Sequence, residues 1–224
     1  MSYEYIREFQ KLGLGLFAHF GLYSAVGKGE WYAYNLQGEA KQRYEQTMQK
    51  FIVKDNWAQA LVATAKAMGA KYVNLTTRHH DGFSLYDTRG LSDFDAPHSA
   101  CGRDLIAELV DECQKANILP FFYHTLIDWH EPTYKTDFAA YLDYLNKSIE
   151  ILCTHYGKVG GFWFDGFWDK PDCDYWQFDR LYGTIRKYQP TAMIINNTGL
   201  NALGQVSHKE IDSVTFERGK PCFV

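Results

Sequence analysis

The chain has no CxxC pair, no HxH or HExxH spacing and no GxGxxG turn. The first absence removes the thioredoxin-like and zinc-ribbon frameworks, and the second removes the zincin type of metal helix. The third leaves a dinucleotide-binding sheet without its phosphate turn, and "GLYSAVGKGE", after the first strand-like run, does not supply one. No run approaches the roughly 20 apolar residues of a membrane span. The opening "MSYEYIREFQK" carries no apolar signal core. Cys101, Cys113, Cys153, Cys173 and Cys222 are odd in number, so free thiols and a cytoplasmic setting are expected. Lys and Arg are scattered in a chain of net charge −4, which offers neither a nucleic-acid groove nor a patch for an anionic membrane. Linkers, low-complexity tracts and repeats are also missing, which leaves one domain over residues 1–224.

What is abundant is aromatic: 16 Tyr, 15 Phe and 6 Trp. Most of these belong in a core, and the rest can stack on ring-shaped ligands. Apolar runs read as strands near 14–21, 71–77, 118–125, 160–166, 192–197 and 212–217. They are apolar on both faces, as strands covered by helices are. Helical patterns lie between them. One starts at Asp55 as N-cap and ends near Gly69. A second places Leu105 with Leu109 and Ile106 with Val110 at i, i+4. A third opens at Thr136 or Asp137 and stops at Gly157, and a fourth stops before Pro190. Repeated βα units with right-handed crossovers give a parallel sheet or barrel. Polar residues gather at the ends of the strands: His19, Thr76 to Asp81, Tyr123 to Asp128, Asp165, Asn196 with Asn197, and Glu217. So many polar strand ends favour a (β/α)8-like, TIM-type barrel over a doubly wound sheet. Six strands fall short of eight, so the barrel is expected to be incomplete at its C-terminus or completed by another copy.

"GGFWFDGFWD" sets Asp165 among aromatics, where a carboxylate is partly desolvated and must be paired or used. It reads either as an N-cap or as a nucleophile or general base. Glu217 in "VTFERGKP" ends another strand, with Glu210 and Asp212 as nearby alternatives. Two carboxylates in different environments suit glycoside hydrolysis. Glu30 and Trp31 in "GEWYAYN" can hold vicinal hydroxyls and stack on a sugar face. The adjacent His79 and His80 in "TTRHHDGFSLYDT" leave three readings open: a metal site with His19, His124 or His130, an acid–base pair, or a rack for a polar ligand.

Taken in order, "GLFAHFGLYS", "EWY", "KYVNLTTRHHDGFSLYDT", "FFYHTLIDWHEP", "GGFWFDG" and "SVTFERGKP" resemble the α-L-fucosidases of glycoside hydrolase family 29. The resemblance implies a retaining exo-glycosidase acting on fucosylated oligosaccharides or glycoconjugates, with no metal and no cofactor. It makes Asp165 the nucleophile and Glu217 the general acid/base. His19, His79 and His80 become hydroxyl contacts, with Glu30 and Trp31 as a further pair and Tyr123 beside the nucleophile. Phe17 and Trp163 form the apolar wall for the sugar's methyl group, which a 6-deoxy sugar demands on chemical grounds alone. Thr198 stands where some members carry Arg, His124 where Ser is common, and a C-terminal β-sandwich is missing. Arg78 and Asp81 are expected to brace the turn. The rival readings are a fucose-binding barrel without turnover or completed by a partner copy, and a metal-dependent barrel hydrolase.

Overall fold

The computed structural model describes residues 3–172, 174–197 and 206–215. Each expected strand forms: β1 Gly15–Ala18, β2 Tyr72–Arg78, β3 Leu119–Thr125, β4 Gly161–Asp165, β5 Met193–Asn196 and β6 Ser213–Val214. All neighbours pair parallel, in the order β1-β2-β3-β4-β5-β6, and the sheet curls into a half-barrel. A doubly wound sheet reverses its strand order at a switch point. Here the order runs one way across all six described strands, which is the progression of a barrel wall.

The helices are α1 Glu4–Leu12, α2 Leu22–Val26, α3 Gly38–Glu45, α4 Trp57–Ala67, α5 Leu105–Ala116, α6 Thr133–Thr136, α7 Phe138–His155 and α8 Phe178–Tyr188. Along the outer side α4 packs on α5 and α7 on α8. The expected stripe of α5 is there, with Leu105, Ile106, Leu109, Val110 and Cys113 all buried. The expected cap of α4 differs: Asn56 stands at the N-cap, while Asp55 accepts from Arg103 Nη1 at 2.7 Å. Asn56 makes no side-chain cap bond, and the exposed Asp55 pairs with Arg103 instead of capping the helix. Helix α1 has no counterpart among the expected elements. Its Tyr5, Ile6 and Phe9 cover the inner, lower sheet face formed by Phe121, Met193 and Ile195, so tertiary packing sustains it. Cys101, Cys113 and Cys153 are free thiols. Among the described residues no helix is long and apolar enough to cross a membrane.

Helix α5 offers a test of local stability. The Asp104 carboxylate accepts from Ala107 N at 2.9 Å as N-cap and from Tyr156 Oη at 2.6 Å. It therefore ties the helix start to the end of α7. Asp104→Ala is expected to cost about 1–2 kcal/mol, a cap plus a buried hydroxyl left unpaired. Urea unfolding would show a lower midpoint with an unchanged slope.

One irregularity decides where the site's residues point. Thr76 pairs with Tyr123, yet Arg78 pairs with His124, so two steps on β2 oppose one on β3. This β-bulge leaves Thr77 as the extra residue and inverts the alternation beyond it. A regular strand would send Arg78 to the same face as Thr76. The bulge sends it outward with His124, into the layer under α7, where Arg78 Nη1 donates to Tyr144 Oη at 2.7 Å. His79 and His80 follow at the strand's end, where the chain leaves the sheet.

Candidate active site

The last residues of four neighbouring strands converge on one mouth of the half-barrel. Phe17 and His19 come from β1 and its exit, His79 and His80 from the end of β2, Tyr123 from β3, and Trp163 with Asp165 from β4. Parity explains the last pair. Trp163 and Asp165 share the inner face with Gly161, while Phe162 and Phe164 pack outward into the core. Gly166 follows with φ +98°, a conformation that favours glycine. The resulting turn brings its amide back to donate to Asp165 Oδ1 at 2.9 Å.

The Asp165 carboxylate has further donors. Tyr123 Oη gives a hydrogen bond to Oδ2 at 3.0 Å, and Asn197 Nδ2 to Oδ1 at 3.2 Å. His80 Nε2 lies 3.4 Å from Oδ2, within ion-pair range but outside hydrogen-bond geometry. Burial pushes the carboxyl group up. The neighbouring His80 ring, the Tyr123 hydroxyl and the Gly166 amide outweigh it and hold Asp165 below its ordinary value. Asp165 is therefore a carboxylate at neutral pH.

The histidines cluster beside it, His79 tilted against His80 and edge-on to His19. His79 and His80 ring centroids are 4.2 Å apart, and His19 is 5.5 Å from His79. Burial, then the neighbouring His80 and His19, lower His79 well below the ordinary histidine value. Burial also lowers His19, against the opposing pull of Glu30 and Asp165. Both are neutral at pH 7, each with one donor and one acceptor, which matches a hydroxyl. Phe17 stands 5.2 Å from Trp163 and 6.0 Å from Tyr123, an apolar wall beside this rack. Trp31 meets His80 edge-on at 5.4 Å. Glu30 is close enough to influence His19. One ligand atom each from His79, His80 and Asp165 also falls within 4.8 Å of the others, so the same three could hold a metal ion.

Other sequence-derived candidates fall elsewhere. His124, a candidate metal ligand in the sequence, lies on the outer face with its Nδ1 against Thr77 Oγ1 at 2.8 Å. Its neighbour in register is Phe164, which fixes that orientation. His130 pairs with Glu45 at 2.8 Å, away from the rack. Glu210 and Asp212 lie at the opposite end of the sheet. Arg186 donates to Glu210 Oε2 at 3.1 Å and to Asp212 Oδ2 at 2.8 Å, and Tyr5 Oη donates to Asp212 Oδ1 at 2.7 Å. Asp212 N bonds Ile194 O, and Ile194 pairs with Phe162, three residues before Asp165. At about 3.3 Å per residue that is about 10 Å down the strand. Neither can act as the partner of Asp165. Glu217 and Thr198 lie outside the described residues. Asn197 and Thr125 touch the site and were not singled out as site residues in the sequence; a polar residue at a strand's end was their only signal.

Asp81 braces the turn, as expected: its Oδ2 accepts from Tyr44 Oη at 2.6 Å and its Oδ1 from Phe83 N at 3.3 Å. Burial raises its carboxyl from 3.8 to about 6. The folded chain then keeps a proton that the unfolded chain has lost, so stability falls as pH rises from 3.8 through about 6. Asp81→Asn is expected to remove that slope, gaining on the parent on the order of 1 kcal/mol or more between pH 4 and pH 7. Urea unfolding at both pH values checks it, and an equal difference at both would sink it.

The family model for α-L-fucosidase matches residues 2–222. Tissue α-L-fucosidase of Rattus norvegicus is 30% identical over 209 residues, covering 82% of this chain and 44% of its own length. The solved α-L-fucosidase isoenzyme 1 from Paenibacillus thiaminolyticus aligns with TM-score 0.79 at 32% identity, over 86% of this chain and 50% of that one. The α-L-fucosidase of family GH29 from Bacteroides thetaiotaomicron aligns with TM-score 0.75 at 27% identity, over 88% and 49%. The chain thus spans half or less of the length of these relatives. With the parallel half-barrel and the matched residues together, the chain belongs to the α-L-fucosidase family, glycoside hydrolase family 29.

Proposed function

We propose that the chain acts on α-L-fucosides as a retaining exo-glycosidase on a (β/α)8-like barrel. The observation that carries this reading is the Asp165 carboxylate. It is ionised, held by Tyr123, Asn197 and Gly166, and stands by a histidine rack whose His19 stacks on the Phe17–Trp163 wall. Three hydroxyls and one methyl group on a 6-deoxy ring need that division of polar and apolar surface. In this reading His19, His79 and His80, with Glu30 and Trp31, orient the hydroxyls, and the wall receives the methyl. Asp165 attacks the anomeric carbon while Glu217 protonates the leaving oxygen. Water then cleaves the fucosyl-enzyme with Glu217 as base. Retention requires the two carboxyl groups to stand about 5–5.5 Å apart in the closed enzyme.

Proton NMR of an aryl α-L-fucoside during hydrolysis tests the stereochemistry. α-L-Fucose should appear first and mutarotate later; β-L-fucose first would overturn retention. Phe17 and Trp31 are 41% and 44% exposed at the mouth, room that a second copy could fill. Specific activity that rises with protein concentration supports completion by such a copy. Binding of L-fucose with no turnover at any concentration would reduce the function to sugar binding. The second reading, a metal-dependent hydrolase, is favoured by the His79, His80 and Asp165 donor cluster. One tightly bound zinc per chain, with activity lost in chelator, would select it. The cytoplasmic setting rests on the sequence alone.

A further inference from the structure

We propose that Thr125 is a positioning residue that fixes which nitrogen of His80 carries the proton, and so which nitrogen reads the ligand. A threonine hydroxyl has one hydrogen and two lone pairs. Thr125 Oγ1 donates its hydrogen to Ile127 O at 2.7 Å and accepts from Ile127 N at 3.1 Å. One lone pair remains, and His80 Nδ1 stands against it at 2.7 Å. With the hydroxyl hydrogen committed, that contact holds together only if Nδ1 is the donor. His80 therefore carries a proton on Nδ1 whether the ring is neutral or charged.

The other nitrogen is then set by elimination. His80 is 0% exposed, and Nε2 has no hydrogen-bond partner among the described residues. It faces Asp165 Oδ2 at 3.4 Å. In the neutral ring Nε2 is a bare lone pair opposite a carboxylate, two acceptors with no hydrogen between them. A ligand that brings hydroxyl hydrogens to both satisfies that pair of acceptors. Thr125 thus makes Nε2 the nitrogen that faces Asp165 and the ligand, an acceptor in the neutral ring and an N–H aimed at the carboxylate in the charged one. A second strand-end pair repeats the device: Thr77 Oγ1 donates to Tyr123 O at 2.8 Å and meets His124 Nδ1 at 2.8 Å. That pair faces the core, where no ligand enters, so the arrangement at Thr125 is the one with a use.

Only the identity of the ligand rests on the fucoside reading; the proton assignment does not. Long-range proton–nitrogen NMR of the histidine rings in the full chain tests it, with His80 identified by the signals lost in His80→Gln. The parent should show Nδ1 protonated, and an unprotonated Nδ1 would overturn the proposal without any variant. Thr125→Ser keeps the hydroxyl and should keep the parent pattern. Thr125→Val removes the acceptor; it should move the proton to Nε2 and weaken L-fucose binding about fivefold to tenfold. A parent-like pattern in Thr125→Val would also overturn it. If L-fucose fails to bind the parent at all, the fucoside reading falls while the ring nitrogens still decide on Thr125.

Discussion

Replacing Asp165 by alanine should lower turnover of an aryl α-L-fucoside by roughly 10³-fold or more, the scale on which loss of a member of a catalytic unit is felt. The side chain is the only carboxylate that the inner strand ends bring to the histidine rack among the described residues, and it is held ionised by its donors. Alanine leaves a small polar cavity lined by Tyr123 Oη and Asn197 Nδ2. Azide fits such a cavity and should restore turnover by attacking from the same side, yielding β-fucosyl azide. Asp165→Asn separates charge from volume, because it keeps the shape and removes the nucleophile. It should be as slow as alanine but insensitive to azide. Steady-state rates and mass spectrometry of the product read both. Parent-like rates in either variant would remove Asp165 from the mechanism.

The strands and their polar ends were legible because short apolar runs and their boundaries are local signals. The pairing of Asp165 with the histidines was legible only through the resemblance, since nothing local ties residue 165 to residue 80. What escaped was set by partners distant in sequence. The bulge at Thr77 arises from register against β3 and turns Arg78 outward. The meaning of Thr125 depends on its hydroxyl being shared between Ile127 and His80, 45 residues away. Helix α1 depends on an apolar floor built from β3 and β5. The acid alternatives Glu210 and Asp212 are close to Glu217 in sequence, yet Arg186 anchors them at the far end of the sheet.

The largest stability effect is expected at Asp128→Ala. Arg78 is fully buried, with its guanidinium carbon 4.7 Å from the Tyr144 ring centroid and Nη1 bonded to Tyr144 and Ser148 hydroxyls. Its Nε and Nη2 have no hydrogen-bond partner among the described residues, and the nearest opposite charge is Asp128 Oδ2, 3.7 Å from Nε. At that distance the pair contributes through charge more than through a hydrogen bond. Removing Asp128 leaves a buried cation uncompensated, which costs about 3–5 kcal/mol. In a chain of this size that lowers the melting temperature by roughly 6–20 °C. The loop loses its anchor as well, because Asp128 Oδ1 accepts from His130 N and Glu131 N, each at 2.8 Å. Between them and Asp128 sits Trp129, whose amide donates to His80 O at 2.8 Å, so the same change loosens the ring that faces Asp165. Asp128→Asn divides the two contributions, since the amide oxygen can still hold the loop while the charge is gone. Adding Arg78→Met to Asp128→Ala should recover part of the loss, as a thioether chain needs no counter-charge. Circular-dichroism melts of Asp128→Ala, Arg78→Met, their double variant and the parent close that cycle, with Asp128→Asn beside them. A drop below about 2 °C for Asp128→Ala would mean that solvent, rather than Asp128, balances Arg78.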